Sequence, residues 1–329
     1  MNLGAPGGGK NFLITGGAGF IGVNLIRTLA PWAREIRVLD NLSAGWREDL
    51  TELPVSLYVG DIRDREAVEA CMAGVEVVVH LAAHTGVVPS VADPVFDQEV
   101  NIQGTLNLLM AAVRHGVERF LFASTGGAIV GGVTPPVHEG LPPRPLSPYG
   151  AAKLAGEGYC SAFWGSYGLK TVILRFSNIY GPWSRHKGSV IATFCRRILR
   201  GEPLTIYGDG TQTRDFLFVG DLCRALGAAV QAEVPFGEPI QLGSGRETSL
   251  RTLLHTLEEV VGKGCLPPVV FAPPRPGEVF RNYVSIAKAK RYLGFEAATP
   301  LRQGLKATWE WFQREAGDQT YLKPAVHAG

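Results

Sequence analysis

A tyrosine and a lysine stand four residues apart in the stretch Ser147-Pro-Tyr-Gly-Ala-Ala-Lys153. Serine followed by proline is typical of a helix start, and residues four apart on a helix share one face. A tyrosine hydroxyl has a pKa of about 10, too high for a base at neutral pH, but a neighbouring ammonium favours the phenolate. Tyr149 and Lys153 are therefore a candidate acid/base pair, although the same spacing is common on solvated helices.

A glycine cluster near the amino terminus predicts a phosphate site. The apolar run from Leu13 ends in Gly16, Gly19 and Gly22 and passes directly into helical periodicity. Gly16 permits a tight turn, Gly19 lets a diphosphate approach the backbone, and Gly22 lets the helix pack close to the strand. Amide groups and the dipole at the helix start would hold the anion.

A carboxylate follows the glycine cluster at the end of the next predicted strand. Asp40 closes the stretch Ile36-Arg-Val-Leu-Asp40. A strand, a glycine turn, a helix and then an acidic residue about 20 positions on are the pattern of a dinucleotide site. This context favours a binding turn over a plain one.

Two hydroxyls close another predicted strand, Phe120-Leu-Phe-Ala-Ser-Thr125. Either hydroxyl could hydrogen-bond a substrate alcohol, and the alternative is simple capping of the strand end by Ser124 and Thr125. The glycines at positions 126 and 127 would let the chain bend sharply away.

Strands and helices alternate through the first half of the chain. This alternation implies right-handed crossovers and an α/β fold, a Rossmann-type doubly wound parallel sheet with helices on both faces. Ligands of such sheets bind beyond the carboxyl ends of the strands, where the motifs above lie. The predicted strands are Phe12–Thr15, Ile36–Leu39, Ser56–Val59, Val75–Leu81, Phe120–Ser124 and Thr171–Arg175.

The chain is predicted to divide near residue 180, because prolines break it into short elements after Gly181. Residues 1–10 are Gly-rich and predicted to form a mobile tail, and residues 11–180 a dinucleotide-binding domain with the catalytic residues. Residues 181–329 are expected to form mainly a smaller, mixed α/β substrate-binding lid, with some segments returning to the sheet. Apolar residues at helical spacing in 301–314 predict a helix packed on the sheet or lid.

The composition excludes several classes of partner. A formal net charge of +2 with both signs interspersed gives no basic stripe for nucleic acid. No apolar run approaches the roughly 20 residues of a membrane span. The cysteines show neither Cys-x-x-Cys pairing nor metal spacing, so we expect reduced thiols, no metal and a cytoplasmic protein. These cysteines are Cys71, Cys160, Cys195, Cys223 and Cys265.

The motifs occur in the order typical of the extended short-chain dehydrogenase/reductase superfamily, and residues 12–312 resemble its nucleotide-sugar epimerase/dehydratase branch. The resemblance implies NAD as the cofactor, with the pyrophosphate on the glycine turn and the adenosine ribose on Asp40, whose charge would repel a 2′-phosphate. The implied cofactor contacts are Gly16, Gly19, Phe20, Ile21, Gly22, Asp40, Asn41, Asp61, Ile62, Leu81, Ala82, Ala83, Asn101, Ser124, Tyr149, Lys153 and Phe176.

The same resemblance implies the catalytic and substrate residues. Thr125, Tyr149 and Lys153 match the catalytic trio. In the lid, an asparagine and two arginines match groups that meet the substrate diphosphate, a task that suits planar guanidinium groups. The implied substrate contacts are His84, Thr85, Gly126, Asn178, Val190, Ile191, Leu204, Ile206, Tyr207, Arg214 and Arg275.

Three departures from the family pattern stand out. Val130 replaces a usual tyrosine, and Gly126 and Gly127 add small residues to the strand-end loop. Together they predict a wider or differently shaped sugar pocket. Ser285 replaces a usual aspartate, for which we expect a local structural change.

The departures also bear on the reaction. Relatives that dehydrate a sugar carry an acidic pair after the strand-end threonine, and decarboxylating relatives carry a glutamate there. This chain has Gly126 and Gly127 instead, which favours NAD-dependent epimerisation at C4 through a transient 4-keto sugar. The alternatives are a nucleotide-sugar 4,6-dehydratase or reductase and, more remotely, a non-catalytic NAD-binding sensor, although both Tyr149 and Lys153 are retained.

The resemblance also suggests a substrate and an assembly. The segment from His84 resembles the loop of epimerases acting on UDP-glucuronate and related sugars, and a neutral or N-acetylated hexose fits nearly as well. The substrate is expected to be a UDP-hexose or UDP-hexuronate. Helical patterns in 98–115 and 149–167 match the pair with which relatives form a homodimer. Their apolar faces could equally lie against the sheet.

Overall fold

The computed structural model describes residues 9–274 and 279–317. Within these ranges the chain forms thirteen strands and twelve α-helices. The strands are β1 (Asn11–Thr15), β2 (Glu35–Asp40), β3 (Ser56–Val59), β4 (Val77–His80), β5 (Arg119–Thr125), β6 (Lys170–Phe176), β7 (Asn178–Tyr180), β8 (Leu204–Tyr207), β9 (Thr213–Arg214), β10 (Phe216–Phe218), β11 (Pro239–Leu242), β12 (Thr248–Ser249) and β13 (Val269–Ala272).

The helices vary in length from one turn to more than five. They are α1 (Phe20–Leu29), α2 (Arg65–Met72), α3 (Val87–Ala92), α4 (Pro94–Gln98), α5 (Thr105–Arg114), α6 (Gly127–Val130), α7 (Pro148–Tyr167), α8 (Val190–Arg200), α9 (Val219–Ala229), α10 (Leu250–Val261), α11 (Ala287–Leu293) and α12 (Leu301–Gly317). A 3-10 helix spans Arg47–Leu50, and a π-helical stretch spans Glu99–Gly104.

Seven parallel strands form the main sheet in the order β11-β6-β5-β4-β1-β2-β3. The chain reverses direction across the sheet between β1 and β4, so their carboxyl ends border the crevice in which such sheets bind ligands. The predicted α/β fold is confirmed. The predicted strands are present, with β4 shorter at both ends than its apolar run suggested.

Apolar side chains cover both faces of this sheet, because a parallel sheet must be buried on each side. Helices α1 and α9 pack on one face, and α2, α5 and α7 on the other. Helix α7 is thereby fixed behind β5 and β6.

The second half of the chain forms a smaller unit and also adds to the sheet. Helices α8, α10 and α12 surround a separate apolar core, in which Leu305, Trp309 and Phe312 are buried. The predicted carboxyl-terminal helix is thus confirmed and packs in the lid. Strand β11 leaves this half and pairs in parallel with β6, which extends the main sheet.

The amino-terminal stretch predicted as a tail lies mostly outside the described residues. Its last residue, Lys10, is anchored: its ammonium pairs with the carboxylates of Glu76 and Glu118, and its carbonyl accepts from the amide of Arg34. No helix in the described ranges is long and apolar enough to cross a bilayer.

Candidate active site

Helix α7 begins where its sequence predicted. The Ser147 hydroxyl accepts a hydrogen bond from the Gly150 amide at 3.2 Å, and Pro148 occupies the first turn. This cap satisfies one of the free amide groups of the helix start. Tyr149 and Lys153 consequently lie one turn apart.

The Lys153 ammonium is directed at the end of strand β5. It is buried and donates to the Ala123 carbonyl at 2.9 Å. Burial lowers the Lys153 pKa to about 8, while the carboxylates of Asp97 and Glu157 act in the opposite direction. Nearby carboxylates therefore stabilise the charge of the buried Lys153 ammonium in part.

Tyr149 differs from the sequence expectation. Burial raises its pKa to about 12, and the negative charge of Asp97 adds to the rise. The lowering expected from Lys153 is not among the causes of this shift, because desolvation of a phenolate dominates in a half-buried position. The protein groups alone thus hold Tyr149 as the neutral phenol.

Strand β5 ends in the two predicted hydroxyls, and they have different surroundings. Ser124 is buried, and its hydroxyl donates to Glu157 at 2.5 Å. Glu157 in turn accepts two bonds from Arg175, at 2.8 and 2.7 Å. The Ser124 hydroxyl is thus engaged by a buried ion pair behind the strand, and its predicted cofactor contact stays a prediction. Thr125 is half-buried at the strand end.

Phe176 is opposite Thr125 in the register of β5 and β6. It is buried at the end of its strand. Its position is thus compatible with the predicted cofactor contact.

The glycine turn has the close approaches that its sequence required. Gly16 has φ +67°, and a Cβ there would lie 2.7 Å from the backbone nitrogen of Ala82. A Cβ on Gly22 would lie 2.5 Å from the Cα of Gly17. Gly19 precedes α1, whose first amides therefore face the carboxyl ends of β1 and β4. This cradle fits a pyrophosphate, held by amides that point out of the helix start.

Several of the predicted cofactor contacts are apolar residues next to this cradle. Phe20 and Ile21 form the first turn of α1, and both are half-buried. The segment that follows β4 contacts the turn, since the backbone of Leu81 and Ala82 lies beside Gly16. Ala83 continues this segment and is half-buried.

Asp40 stabilises the turn as well as ending β2. Its two carboxylate oxygens accept from the amides of Ala18, at 3.0 Å, and Leu42, at 2.8 Å. Burial raises the Asp40 pKa, and these two amide bonds lower it. Each oxygen keeps a second lone pair, so the carboxylate can also accept from a ribose hydroxyl.

Two predicted cofactor contacts that follow β2 and β3 form a small polar group, here called the Asn41–Asp61 edge. The Asn41 amide donates to Asp61 at 3.0 Å, and the same carboxylate pairs with Arg63. Hydrogen bonding by these partners outweighs burial and lowers the Asp61 pKa. Ile62 is buried beneath this edge.

Asn101 has a role that the sequence did not predict. Its amide nitrogen donates to the His84 carbonyl at 2.9 Å, and its oxygen accepts from the His84 amide at 3.0 Å. The residue belongs to the π-helical stretch, a geometry frequent at functional sites. Its side chain thus fixes the loop after β4, and the predicted cofactor contact is not supported for that amide.

Asp97 is a site residue that the sequence reasoning missed. It is fully buried, and its Oδ1 accepts from His84 Nδ1 at 3.1 Å and from Asn101 at 3.0 Å. Its Oδ2 is buried without a hydrogen-bond partner in the described part of the chain. The signal available was its position four residues before Asn101, which places both on one helix face.

Two predicted substrate residues, His84 and Thr85, follow β4 next to this polar group. His84 is half-buried, with its ring edge-on to Phe96 at a centroid distance of 5.1 Å. Thr85 is exposed at the next position. Because Asp97 takes one ring nitrogen, the other nitrogen of His84 is the one directed away from the buried carboxylate.

The glycine pair after β5 is closely packed. A Cβ on Gly126 would lie 2.5 Å from the Gln241 side-chain oxygen, and one on Gly127 would lie 2.5 Å from the Asn282 amide nitrogen. Val130 is buried in a small apolar core. The pocket is therefore shaped by Gln241 and Asn282, which take the space beside the glycines.

A cavity of about 150 Å³ opens in the lid. It collects four predicted substrate residues, together with the unpredicted Ser189. Arg214 is held in place by donating to the carbonyls of Thr213 and Val279. The lining residues are Asn178, Ile179, Tyr180, Ser189, Val190, Ile191, Arg214, Phe216 and Leu250.

Three further lid predictions among the described residues do not line this cavity. Leu204 and Ile206 are fully buried in the lid core, because alternate residues of β8 point inward. They are thus core residues and not cavity walls. Tyr207 ends the same strand and is half-buried, and Arg275 lies outside the described residues.

Comparisons with known proteins agree with this geometry. Residues 12–243 match the NAD dependent epimerase/dehydratase family. The UDP-glucuronate 4-epimerase of Thermodesulfobacterium geofontis is 34% identical, over 91% of this chain and 95% of that protein. The structure of the Thermotoga maritima UDP-glucose 4-epimerase with UDP-glucose is 40% identical, with a TM-score of 0.87 over 92% of this chain and 99% of that one.

A second similar solved structure contains NAD. The Thermus thermophilus UDP-glucose 4-epimerase complex with NAD is 40% identical to this chain, with a TM-score of 0.84 over 92% of this chain and 99% of that one. The glycine cradle, the carboxylate of Asp40 and the Tyr149–Lys153 pair thus occur in a chain that matches such enzymes over nearly its full length. The protein belongs to the NAD dependent epimerase/dehydratase family.

Proposed function

We propose that this protein inverts the configuration at C4 of a UDP-sugar, with NAD as its cofactor and a 4-keto sugar as the transient intermediate. The observation that carries the proposal is the meeting of two groups at one sheet edge. The glycine cradle and Asp40 lie at the carboxyl ends of β1 and β2. The Lys153 ammonium lies at the end of β5, which is two strands from β1 in the sheet. The cradle and Asp40 would hold the dinucleotide at the sheet edge that Lys153 also reaches.

The protein residues move one proton and orient the sugar. When bound, NAD supplies the redox step by taking a hydride from C4 and giving one back. The Tyr149 oxygen removes the C4 hydroxyl proton and later returns a proton to the ketone oxygen. Thr125 aligns that hydroxyl, and the Lys153 ammonium at the end of β5 would hold a ribose of the cofactor.

The resting state of Tyr149 suits a reversible cycle. With a pKa of about 12 in the free protein, the Tyr149 phenol must release its own proton to solvent before it can act as a base. A cation beside the ring favours that loss, and oxidised NAD would supply one when bound, so the phenolate and the oxidised cofactor would occur together. The sugar held through its diphosphate can turn between the two transfers, which inverts C4.

Close packing beside the glycines disfavours dehydration. Removal of water across C5 and C6 needs an acid and a base next to the sugar. The residues after Thr125 are Gly126 and Gly127, and the neighbouring space is taken by the uncharged side chains of Gln241 and Asn282. Inversion at C4 needs none of these extra groups.

The substrate is proposed to be a UDP-hexose or a UDP-hexuronate. The lid cavity with Asn178 and Arg214 can bind a diphosphate. His84, backed by the buried Asp97, is proposed to contact a polar group at C6. The UDP-glucose and UDP-glucuronate epimerases named above act on these two kinds of sugar.

We further propose a homodimer in the cytoplasm. Helices α5 and α7 carry exposed apolar side chains, among them Met110, Tyr159 and Tyr167, which a second copy could cover. All five cysteines are unpaired thiols, as expected of a protein kept in a reducing compartment.

The decisive experiment follows C4 inversion by NMR. UDP-glucose and UDP-glucuronate are incubated with the protein and NAD, and we expect one of them to equilibrate with its C4 epimer without net NADH. Tyr149→Phe serves as the matched control, since it removes only the hydroxyl. A 4-keto-6-deoxy product would identify a dehydratase, and unchanged sugars throughout the panel would refute the proposal.

A further inference from the structure

Residues 182–189, here called the crossing segment, connect the lid to the cofactor edge. The Pro182 carbonyl accepts from the Asn24 side chain of helix α1 at 3.0 Å. His186 stacks on Trp46, in the loop after β2, at a centroid distance of 4.9 Å. The segment therefore passes between the start of α1 and the lid cavity.

Lys187 lies at the centre of this passage. Its ammonium donates to the carbonyl of Ile179, a residue lining the lid cavity, at 2.9 Å. The same nitrogen lies 4.8 Å from the ring centroid of Phe20, the first residue of α1. One cation thus touches both the wall of the lid cavity and the residue that begins the cofactor helix.

The neighbouring cations have partners of their own. Arg185 pairs with the carboxylates of Asp49 and Glu315. Arg196 donates to the backbone carbonyls of Arg185 and Lys187. For Lys187, the described ranges place no carboxylate within 4 Å, and the Ile179 carbonyl takes one of its three N–H groups.

Two further observations indicate that an anion completes this group. Burial lowers the Lys187 pKa to about 8, as happens when an ammonium loses water without gaining a counter-charge. Ser189, two residues on, lines the lid cavity with a buried hydroxyl oxygen that has no hydrogen-bond partner among the described residues. Buried polar atoms are normally satisfied, so a ligand oxygen is the fitting partner.

We propose that Lys187 binds a nucleotide diphosphate, as a cation placed between the glycine cradle and the lid cavity. The inference rests on the proposed function for the two sources of that chemistry, the pyrophosphate of NAD and the diphosphate of the UDP-sugar. Through the crossing segment, Lys187 would link occupancy of the cofactor edge to occupancy of the lid.

The test measures binding, so it does not depend on turnover. Titration calorimetry with UDP and, separately, with NAD compares the wild type with Lys187→Met and Lys187→Arg. We expect Lys187→Met to weaken binding of at least one ligand about tenfold or more, the usual effect of losing a charged hydrogen bond. Lys187→Arg keeps the charge and should restore most of the affinity. The ligand affected identifies the source of the diphosphate.

Proton uptake on ligand binding is a second measurement. A purely structural role of Lys187 would not affect it. At pH 8 roughly half of the Lys187 side chains are neutral, so binding of an anion should take up to about half a proton from the buffer. His186, Arg185 and Arg196 face the same segment. Burial lowers the His186 pKa, and any proton exchange by these three groups is common to wild type and Lys187→Arg and therefore cancels in the comparison. Lys187→Arg should bind without the uptake that Lys187 causes.

Controls separate the possible failures. Lys263→Met removes an exposed lid charge and should leave both affinities unchanged, and thermal unfolding of each variant checks the fold. Lys153 also has a pKa near 8, so for NAD the relevant quantity is the difference in uptake between wild type and Lys187→Arg. Unchanged affinities in Lys187→Met overturn this inference alone. A wild type that binds neither ligand overturns the proposed function with it.

Discussion

The catalytic helix and the crossing segment each contain a lysine whose pKa burial lowers to about 8. Around Lys153, the carboxylates of Asp97 and Glu157 favour the charged form, and a carbonyl at 2.9 Å fixes the ammonium. Lys187 has a similar carbonyl at 2.9 Å, but burial is the cause of its shift and no carboxylate of the described ranges opposes it.

The difference indicates that the two regions have different functions, chemistry around Lys153 and ligand binding around Lys187. The fold itself supplies the charges near the reacting hydroxyl, so the catalytic region is organised before any ligand arrives, which is the condition for low reorganisation during catalysis. The crossing segment leaves a charge to be balanced by a ligand. Substitutions in the first region should therefore change chemistry or folding, and those in the second should change binding.

The largest effect expected from this division is on turnover. Tyr149→Phe removes the proton carrier, and we expect kcat to fall by about 10³- to 10⁴-fold, because proton transfer by a positioned group contributes up to this factor. NAD affinity should stay within about twofold, since the phenyl ring remains. Steady-state kinetics and calorimetry measure the two quantities. Normal turnover would show that another group carries the proton.

The next effect concerns folding. Glu157→Gln leaves the Arg175 guanidinium buried without its carboxylate, and we expect the free energy of unfolding to fall by about 3–5 kcal/mol. Chemical denaturation measures it. The double variant Glu157→Gln, Arg175→Met serves as control and should recover part of the loss, because no unpaired charge remains. An unaltered unfolding midpoint in the single variant would mean that water reaches this pair.

A smaller effect is expected at the cofactor edge. Asp40→Ala removes both the acceptor for a ribose hydroxyl and the support of the Ala18 amide. We expect NAD affinity to fall by roughly 10- to 100-fold, or about 1.5–3 kcal/mol, the range for a hydrogen bond to a charged group. UDP affinity should not change, and calorimetry with both ligands would reveal a more general defect if it did.

The smallest effect is a shift in pH dependence. Asp97 raises the pKa values of both Tyr149 and Lys153. Asp97→Asn keeps an oxygen to accept from His84 and Asn101 but removes the charge, so both pKa values should fall. Phenolate then forms at lower pH, and the ammonium is lost at lower pH. Both limbs of the kcat profile should move toward lower pH, and a shift to higher pH would contradict the assignment.

The sequence was sufficient for features that depend on local geometry. Strand–turn–helix patterning located Gly16, Gly22 and Asp40, because the φ of +67° at Gly16 and the contact of Gly22 with the backbone of Gly17 both arise within one turn. Spacing of four located Tyr149 and Lys153, because a helix turns that distance onto one face. The parallel sheet followed from the alternation of elements.

Other features depend on contacts between distant parts of the chain, which residue spacing does not encode. Ser124 pairs with Glu157 across 33 positions, and Lys187 meets Phe20 across the boundary between the two halves. The orientation of Leu204 and Ile206 is set by the lid core. The pKa of Tyr149 could not be predicted because burial, and not the nearest charge, determines it.

Strand β11 has a consequence for the architecture as a whole. It comes from the second half of the chain, yet it covers the outer hydrogen-bonding edge of β6. A fragment cut off after residue 180 would present that edge open, with the apolar core beneath it uncovered, and such edges recruit other strands. The two halves of the chain therefore share one sheet, and the second half completes the edge that the first half leaves open.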